Sequence, residues 1–482
     1  MIDYPVATAL GSDPTNVKRL SQERFAKAIG AISFYSLLIL IALVAVPYGA
    51  SEPWWKAFFQ CIIFALAGLW VIERLLWNEP AAPYYSLLLP AIALIAFAFL
   101  QTVPWSHYST AGIDNVAETI SADASQTRLF ISQFGALVLA GLLLVVHTNS
   151  QKRLRLLIEL IIAVGVISAG FGLLRQATQV DAGFLLPYLR PHFGYAQFIN
   201  RDHFAFLIEM ALGLGLGITV CRGISGARLA LYLIAAIPMW IALVLANSRG
   251  GILSMLCQVL ILAWLLGWRR TAHRIENEQT PAHPGIRLFR KARSLAARAI
   301  LIIALFAAAV IGVVFVGGDP LVRKLDAISI ELNPKIAESY TLRLNIWQAT
   351  RELIKDHPVA GVGFGGYWIA ITRYHHSSGE ITPQEAHSDY LELMTSGGLI
   401  GLAIGVWFVI AFVQAARRKL LIAENYDRAV TLGALVGIVT VAIHSLVDYG
   451  LHVTINTLLL TALVSIVLIN VKETERLQGT VK

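Results

Sequence analysis

Arg343-Leu344-Asn345-Ile346-Trp347, Asp356-His357-Pro358, Gly361-Val362-Gly363-Phe364-Gly365-Gly366-Tyr367 and Ala386-His387-Ser388-Asp389-Tyr390-Leu391-Glu392 follow one another in a single soluble-looking stretch, roughly residues 317–392. The rest of the chain reads as membrane. Of its 482 residues 57% are apolar and 14% charged, whereas soluble domains run near a quarter charged. The chain is therefore polytopic and all-α, not a soluble domain with an anchor attached. Cys61, Cys221 and Cys257 fall inside apolar runs, too scattered for a disulfide framework or a zinc knuckle. The net charge of +8 is not a nucleic-acid footprint; what matters in a membrane protein is where the positive charges lie.

A hydrocarbon core about 30 Å thick takes about 20 apolar residues of helix. Working outward from the soluble stretch, nine runs precede it, near 29–47, 57–72, 84–101, 129–147, 156–174, 203–221, 229–247, 251–268 and 299–316. Three follow, near 398–415, 429–447 and 453–471, for about 12 transmembrane helices. With the N-terminus inside, about two thirds of the 38 lysines and arginines fall in inside segments. Most of the remainder lie in the long loop, which the positive-inside rule largely exempts. Both termini are thus expected in the cytoplasm and the 317–389 loop outside, periplasmic in a bacterial inner membrane. The expected organisation is one membrane domain: helices 1–9 in residues 1–316, a loop with amphipathic helices in 317–389, and helices 10–12 in 390–482.

That placement argues against chemistry that needs a cytoplasmic nucleotide. Gly361-x-Gly363-x-x-Gly366 matches the dinucleotide fingerprint as a string, but a helix precedes it and no βαβ unit surrounds it. Two readings remain open: a turn whose N–H groups approach something closely, or a plain helix-to-helix turn.

Charge at a membrane boundary is costly unless paired or wet, so each outside arginine is a candidate. Arg249 stands in Asn247-Ser248-Arg249-Gly250-Gly251 between two runs with almost no loop; it is a site residue or a snorkelling turn residue. Arg201 opens the sixth run, where Asp202 could be a helix cap and Arg201 merely face headgroups. The helix carrying Arg343 is expected from about Tyr340 to Pro358. Its apolar stripe, Leu342, Ile346, Ala349 and Leu353, would rest on the membrane or the bundle top, with Arg343 and Trp347 together beside it. His387 stands just above the tenth run, with Glu385 and Asp389 near enough in sequence to fix its tautomer. Asp448 ends the eleventh run with His444 four residues before and His452 four after; a metal site from these three is conceivable, but Gly450 is expected to break the helix, and no metal or other cofactor is expected. Arginine, a glycine-rich turn and histidine at the mouth of a bundle suit a phosphorylated substrate.

These pieces resemble the O-antigen ligase and O-antigen polymerase superfamily of bacterial membrane glycosyltransferases. The resemblance lies in Ser248-Arg249-Gly250-Gly251, Arg343 to Trp347, Asp356-His357-Pro358 with Gly361 to Gly365, His387 to Leu391 followed by Gly398-Leu399-Ile400-Gly401, and His444-Ser445-Leu446-Val447-Asp448-Tyr449. They run in the family's order over roughly residues 198–456, and Ser388 stands where the family often has Asn. The resemblance implies a GT-C-like fold and a donor glycan on undecaprenyl pyrophosphate, transferred with inversion and without metal or nucleotide. It makes His387 the essential histidine, Arg249 and Arg343 the pyrophosphate arginines and Asp448 the acidic residue of the penultimate helix. Arg201 is expected to join the arginines at the pyrophosphate, with Asp448, Trp347 and Asp389 supporting the site.

The chemistry suits the residues independently. A histidine titrating near ambient pH can deprotonate an acceptor hydroxyl, and forked arginines can hold the charge on a departing pyrophosphate. The expected acceptor is lipid A–core or a lipid-linked repeat, with a protein Ser or Thr as the alternative within the family. The rival from another class is a transporter or flippase of a lipid-linked or anionic solute. Against it, the notable charges gather at one face, and the two halves show no evident repeat.

Overall fold

The computed structural model describes residues 14–77, 85–110, 113–178, 194–276, 334–375 and 383–471. Its helices are α1 (Pro14–Ala45), α2 (Pro53–Trp77), α3 (Tyr85–Gln101), α4 (Ala124–His147), α5 (Gln151–Thr178), α6 (Arg201–Val220), α7 (Ala227–Leu245) and α8 (Arg249–Glu276). They continue with α9 (Pro334–Asp356), α10 (Asp389–Ile422), α11 (Asn425–His444) and α12 (Thr454–Leu468). The chain is an all-α polytopic membrane protein. Among the described residues nine helices are long and apolar enough to cross a membrane, with α3 and α12 as shorter apolar helices. The run at 299–316 lies outside the described residues.

One small feature departs from the all-helical expectation. Ser106–Thr110 (β1) and Ile113–Glu118 (β2) pair as an antiparallel hairpin between α3 and α4. Tyr108 opposite Val116 and Thr110 opposite Ile113 are residue types that favour strands. A five-residue strand carries too little periodicity to stand out beside long apolar runs.

At the centre, α6 is enclosed along its length, with every side chain from Phe204 to Ile218 buried. It lies against α11 at backbone-to-backbone distance. A methyl group on Gly213 would fall 2.5 Å from the Gly437 Cα, and one on Gly217 would fall 2.4 Å from the Gly433 Cα. Two glycines four apart on each helix, paired head to tail, give the small-residue interface by which helices associate in lipid, where apolar burial alone supplies no drive.

Hydrogen bonds join the helix ends at one face of the bundle. The start of α12 binds the α1–α2 turn, Thr454 Oγ1 donating to the Ala50 carbonyl at 2.8 Å. Asn456 Nδ2 donates to the His203 carbonyl at the start of α6, 3.0 Å away. The Asp389 N–H, at the start of α10, reaches the carbonyls of Ser445 at 3.1 Å and Asp448 at 3.2 Å, just past α11.

The glycine-rich turn is anchored to this same face and resolves the two open readings in favour of the second. The N–H groups of Val362 and Gly363 donate to the carbonyls of Thr395 and Ser396, at 2.8 and 3.0 Å. Gln101, fully buried at the end of α3, donates through Nε2 to the carbonyls of Ala360 (2.7 Å) and Ser396 (2.9 Å) and accepts weakly from the Phe364 N–H (3.4 Å). Thr127 Oγ1 donates to the Phe364 carbonyl at 2.6 Å. The turn therefore presents these N–H groups to protein, not to a phosphate. Its partner is a kink in α10 at Gly398, whose φ of 57° and ψ of −155° are open only to glycine.

Helix α9 starts at Pro334, six residues before the expected Tyr340; proline is well suited to a helix's first turn, where its missing N–H has no partner to lose. The described part of its apolar stripe packs on protein. Ala349 and Leu353 bury against Val362, Tyr367, Ile371 and Ala386, and Thr350 Oγ1 meets the Tyr367 hydroxyl at 2.8 Å. The loop supplies its own small core, and α9 packs on that.

Candidate active site

His387 lies on the short segment between this small core and α10. Its φ is 52°, in the left-handed region, which histidine enters more readily than most residues but still at some cost. Both flanks are fixed. On one side the Trp347 indole N–H, from α9, donates to the Ala386 carbonyl at 3.0 Å, and the Ala386 N–H donates to Glu392 Oε2 at 3.0 Å. On the other, Ser388 caps α10 and its hydroxyl reaches the Ser445 carbonyl at 3.2 Å. Trp347 thus touches the segment that aims His387.

Tyr449 forms the hub. Its ring packs edge-on against His387 (centroids 4.9 Å apart), His203 (5.1 Å) and His452 (5.8 Å). His203 is two residues into α6, so this contact brings the Arg201 end of α6 beside His387. Arg201 is exposed at the helix start, and the cap is Asn200, not Asp202: Asn200 Oδ1 accepts from the Asp202 N–H at 2.9 Å. Asp448, adjoining Tyr449, is buried; its Oδ1 accepts from the Tyr449 N–H at 2.9 Å, and its carbonyl from the Asp389 N–H.

Asp389 accepts from the Ser445 hydroxyl at 2.7 Å and lies 4.0 Å from His452 Nε2. Glu385 meets His452 Nδ1 at 3.3 Å. His452 sits in the 3-10 turn Gly450–His452 between α11 and α12. Burial acts to lower its pKa, but the Glu385 carboxylate, helped by Glu392 and Asp389, outweighs this and pushes it up to about 10. The ring is therefore cationic at neutral pH, a counter-ion to the acids around His387. Glu385, Glu392 and His452 present ligand atoms within 4.8 Å of one another, the one such group of three among the described residues that could hold a metal ion. The trio His444, Asp448 and His452 does not assemble in that way. Helix α11 already ends at His444, so the residues beyond it leave the helical face.

Arg249 is exposed at the first position of α8. Ser248 caps that helix, its hydroxyl accepting the Gly251 N–H at 2.9 Å. The glycines after Arg249 admit protein on both sides: Gly251 faces Ala205 of α6, and Gly250 lies on the imidazole of His444. Arg343 is on α9, one turn before Trp347; its side chain lies outside the described residues. The fold thus gathers Arg201, Arg249, His387, Asp389, Asp448 and Trp347 at one face, and carries the backbone of Arg343 to that neighbourhood.

Sequence reading gave no role to Gln101, Tyr449 or Glu209. Glu209 had a signal: it is the one acid inside the apolar run Phe204–Val220. It is fully buried, and both its oxygens meet His444 Nδ1, at 3.0 and 3.1 Å. Gln101 had none and Tyr449 only its place at the end of the motif His444 to Tyr449, because their roles exist only through residues far away in sequence.

Residues 234–406 match the family model described as O-antigen ligase. The matched stretch contains Arg249, Arg343, Trp347, the glycine-rich turn, His387 and Asp389, while Arg201 and Asp448 fall outside it. The match supports the O-antigen ligase/polymerase superfamily and, in general terms, an enzyme of polysaccharide synthesis. Comparison with curated proteins gives no match.

Proposed function

We propose that this chain transfers a glycan from undecaprenyl pyrophosphate to an acceptor hydroxyl at the periplasmic face of a bacterial inner membrane, by a single inverting displacement. The observation that carries the reading is the meeting, at one end of the bundle, of His387 on a clamped segment with the arginine-led starts of α6 and α8. His387 takes the proton of the acceptor hydroxyl as its oxygen attacks the anomeric carbon. The bond from that carbon to the pyrophosphate oxygen breaks on the opposite side, which inverts the centre. Arg249 and Arg343 hold the charge that develops on the departing undecaprenyl pyrophosphate, and Arg201 adds to the field. A pyrophosphate leaving group takes no proton, so the proton remains on His387 until water removes it. Neither metal nor nucleotide enters these steps. Asp448 and Trp347 keep the His387 segment in place, and Asp389 ties it to His452. The architecture is a GT-C-like membrane unit with both termini cytoplasmic, and the loop of 317–389 is part of that unit, not a separate domain.

The test is transfer by purified protein in nanodiscs. Undecaprenyl-pyrophosphate oligosaccharide is supplied without nucleotide or metal, with lipid A–core or further lipid-linked repeat as acceptor. Product on lipid A–core identifies a ligase; a ladder of longer lipid-linked glycans identifies a polymerase. His387→Ala and Arg249→Ala are expected to lower turnover by at least about 100-fold. Normal transfer by either variant would refute the assignment of its residue.

A further inference from the structure

Glu209 and His444 form an ionisable pair wholly inside the bundle, and the proposed chemistry does not use it. Both side chains have no solvent exposure. Glu209 Oε1 also accepts from the Ser254 hydroxyl at 2.5 Å, and the imidazole stacks on Phe206 with centroids 4.1 Å apart. Ionisable groups at such depth are costly and call for a role. Packing alone explains part of it, since Glu209 continues the face of α6 that carries Gly213 and Gly217. It does not explain where the other ring nitrogen points. Among the described residues His444 Nε2 is buried without a hydrogen-bond partner, and it lies over Gly250, where a methyl group would fall 2.4 Å away. Gly250 is the residue after Arg249. The same histidine ends α11, and its carbonyl accepts from the Asp448 N–H at 3.2 Å.

One residue therefore joins three elements: its ring meets the carboxylate of α6 and the first turn of α8, and its carbonyl holds the segment leading to Asp448. We propose that His444, held by Glu209, is a positioning residue that sets the height of Arg249 over the donor pyrophosphate. The inference rests on the glycosyl-transfer reading above and adds two residues to it that do not touch the substrate. Glu209 fixes the ring's rotation through Nδ1, the ring edge fixes the first turn of α8, and the Arg249 guanidinium inherits that register.

The experiment measures binding of undecaprenyl pyrophosphate to the full chain in nanodiscs, with donor KM and kcat for transfer beside it. In His444→Asn the amide stands near the Nδ1 position and keeps a donor for Glu209, while the ring edge over Gly250 is lost. Gly250→Ala pushes on the same contact from the other side. Each single variant is expected to bind the lipid about tenfold more weakly and to raise donor KM more than it lowers kcat, as a displacement of around 1 Å at a clamp would do. The double variant H444N/G250A, whose methyl fills the space left by the ring, is expected to recover most of the affinity. Folded single variants that bind like wild type overturn the inference, and so does a double variant no better than the singles. Should a single variant not fold, the double variant decides alone: affinity near wild type supports the contact, and a tenfold loss overturns it. Wild-type protein that does not bind the lipid overturns the functional reading itself, and this inference with it.

Discussion

Replacing Gln101 with leucine should loosen the glycine-rich turn without changing the bundle. The two side chains are similar in size, so little cavity forms and the loss is of hydrogen bonds. Three contacts vanish: Nε2 to the Ala360 carbonyl at 2.7 Å, Nε2 to the Ser396 carbonyl at 2.9 Å, and the Phe364 N–H to Oε1 at 3.4 Å. They are not equal. The Ser396 carbonyl keeps its bond from the Gly363 N–H, so it is not orphaned. The Ala360 carbonyl and the Phe364 N–H lose the partner described for them. A buried orphan costs about 1–3 kcal/mol, and the long Phe364 contact belongs at the low end, so the sum is about 2–4 kcal/mol. At about 1.4 kcal/mol per decade, opening of the turn becomes roughly 30- to 700-fold more frequent. Hydrogen exchange resolved by peptide, in nanodiscs, reads this directly as faster exchange in 358–371, with α6 and α11 unchanged. The effect should reach function, because α9 packs on this turn and carries Arg343 and Trp347. Unchanged exchange in 358–371 would refute the argument that Gln101 is the anchor. Acceleration throughout the chain would instead mean that Gln101 supports the bundle as a whole.

Tyr449→Leu should lower kcat by roughly tenfold or more, with a smaller change in donor KM, because His387 loses the ring it leans on; Tyr449→Phe should retain most activity, and equal loss in both variants would move the role from the ring to the hydroxyl. Gly398→Ala places a methyl 2.4 Å from the Val359 carbonyl oxygen at a φ of 57°, so strain of about 1–3 kcal/mol adds to the clash; an unchanged melting temperature in detergent would show that the kink is not needed. His452→Gln tests the counter-ion through pH. Because the folded-state pKa of His452 is raised above its ordinary 6.5, to about 10, its stabilisation is complete below about pH 6.5 and is lost as pH rises through about 10. The melting-temperature gap between wild type and His452→Gln should therefore be largest near pH 6 and shrink towards pH 10, and a gap that widens with pH would reverse the assignment.

The sequence by itself determined the fold class and pointed to the candidate residues of the site. Apolar runs of helix length leave few alternatives in lipid, where the backbone must satisfy itself, and eleven of the twelve runs read from the sequence fall on apolar helices. Arg249 and His387 stand out because a charged or titratable group beside such a run needs a reason. Tertiary structure decided the rest, where a residue's meaning depends on what lies across the bundle. The glycine-rich turn has two readings as a string; only its docking to Thr395, Ser396 and Gln101 shows which groups its N–H donors face. Glu385 and Asp389 are neighbours of His387 along the chain, yet His452, more than 60 residues away, comes within 3.3 Å of Glu385 and 4.0 Å of Asp389. Glu209 and His444 carry no common pattern, and two glycine contacts between α6 and α11 bring them within a hydrogen bond. Periodicity and burial are local along a chain, so sequence reveals them. Which carboxylate meets which histidine depends on helix register, and that is set by packing.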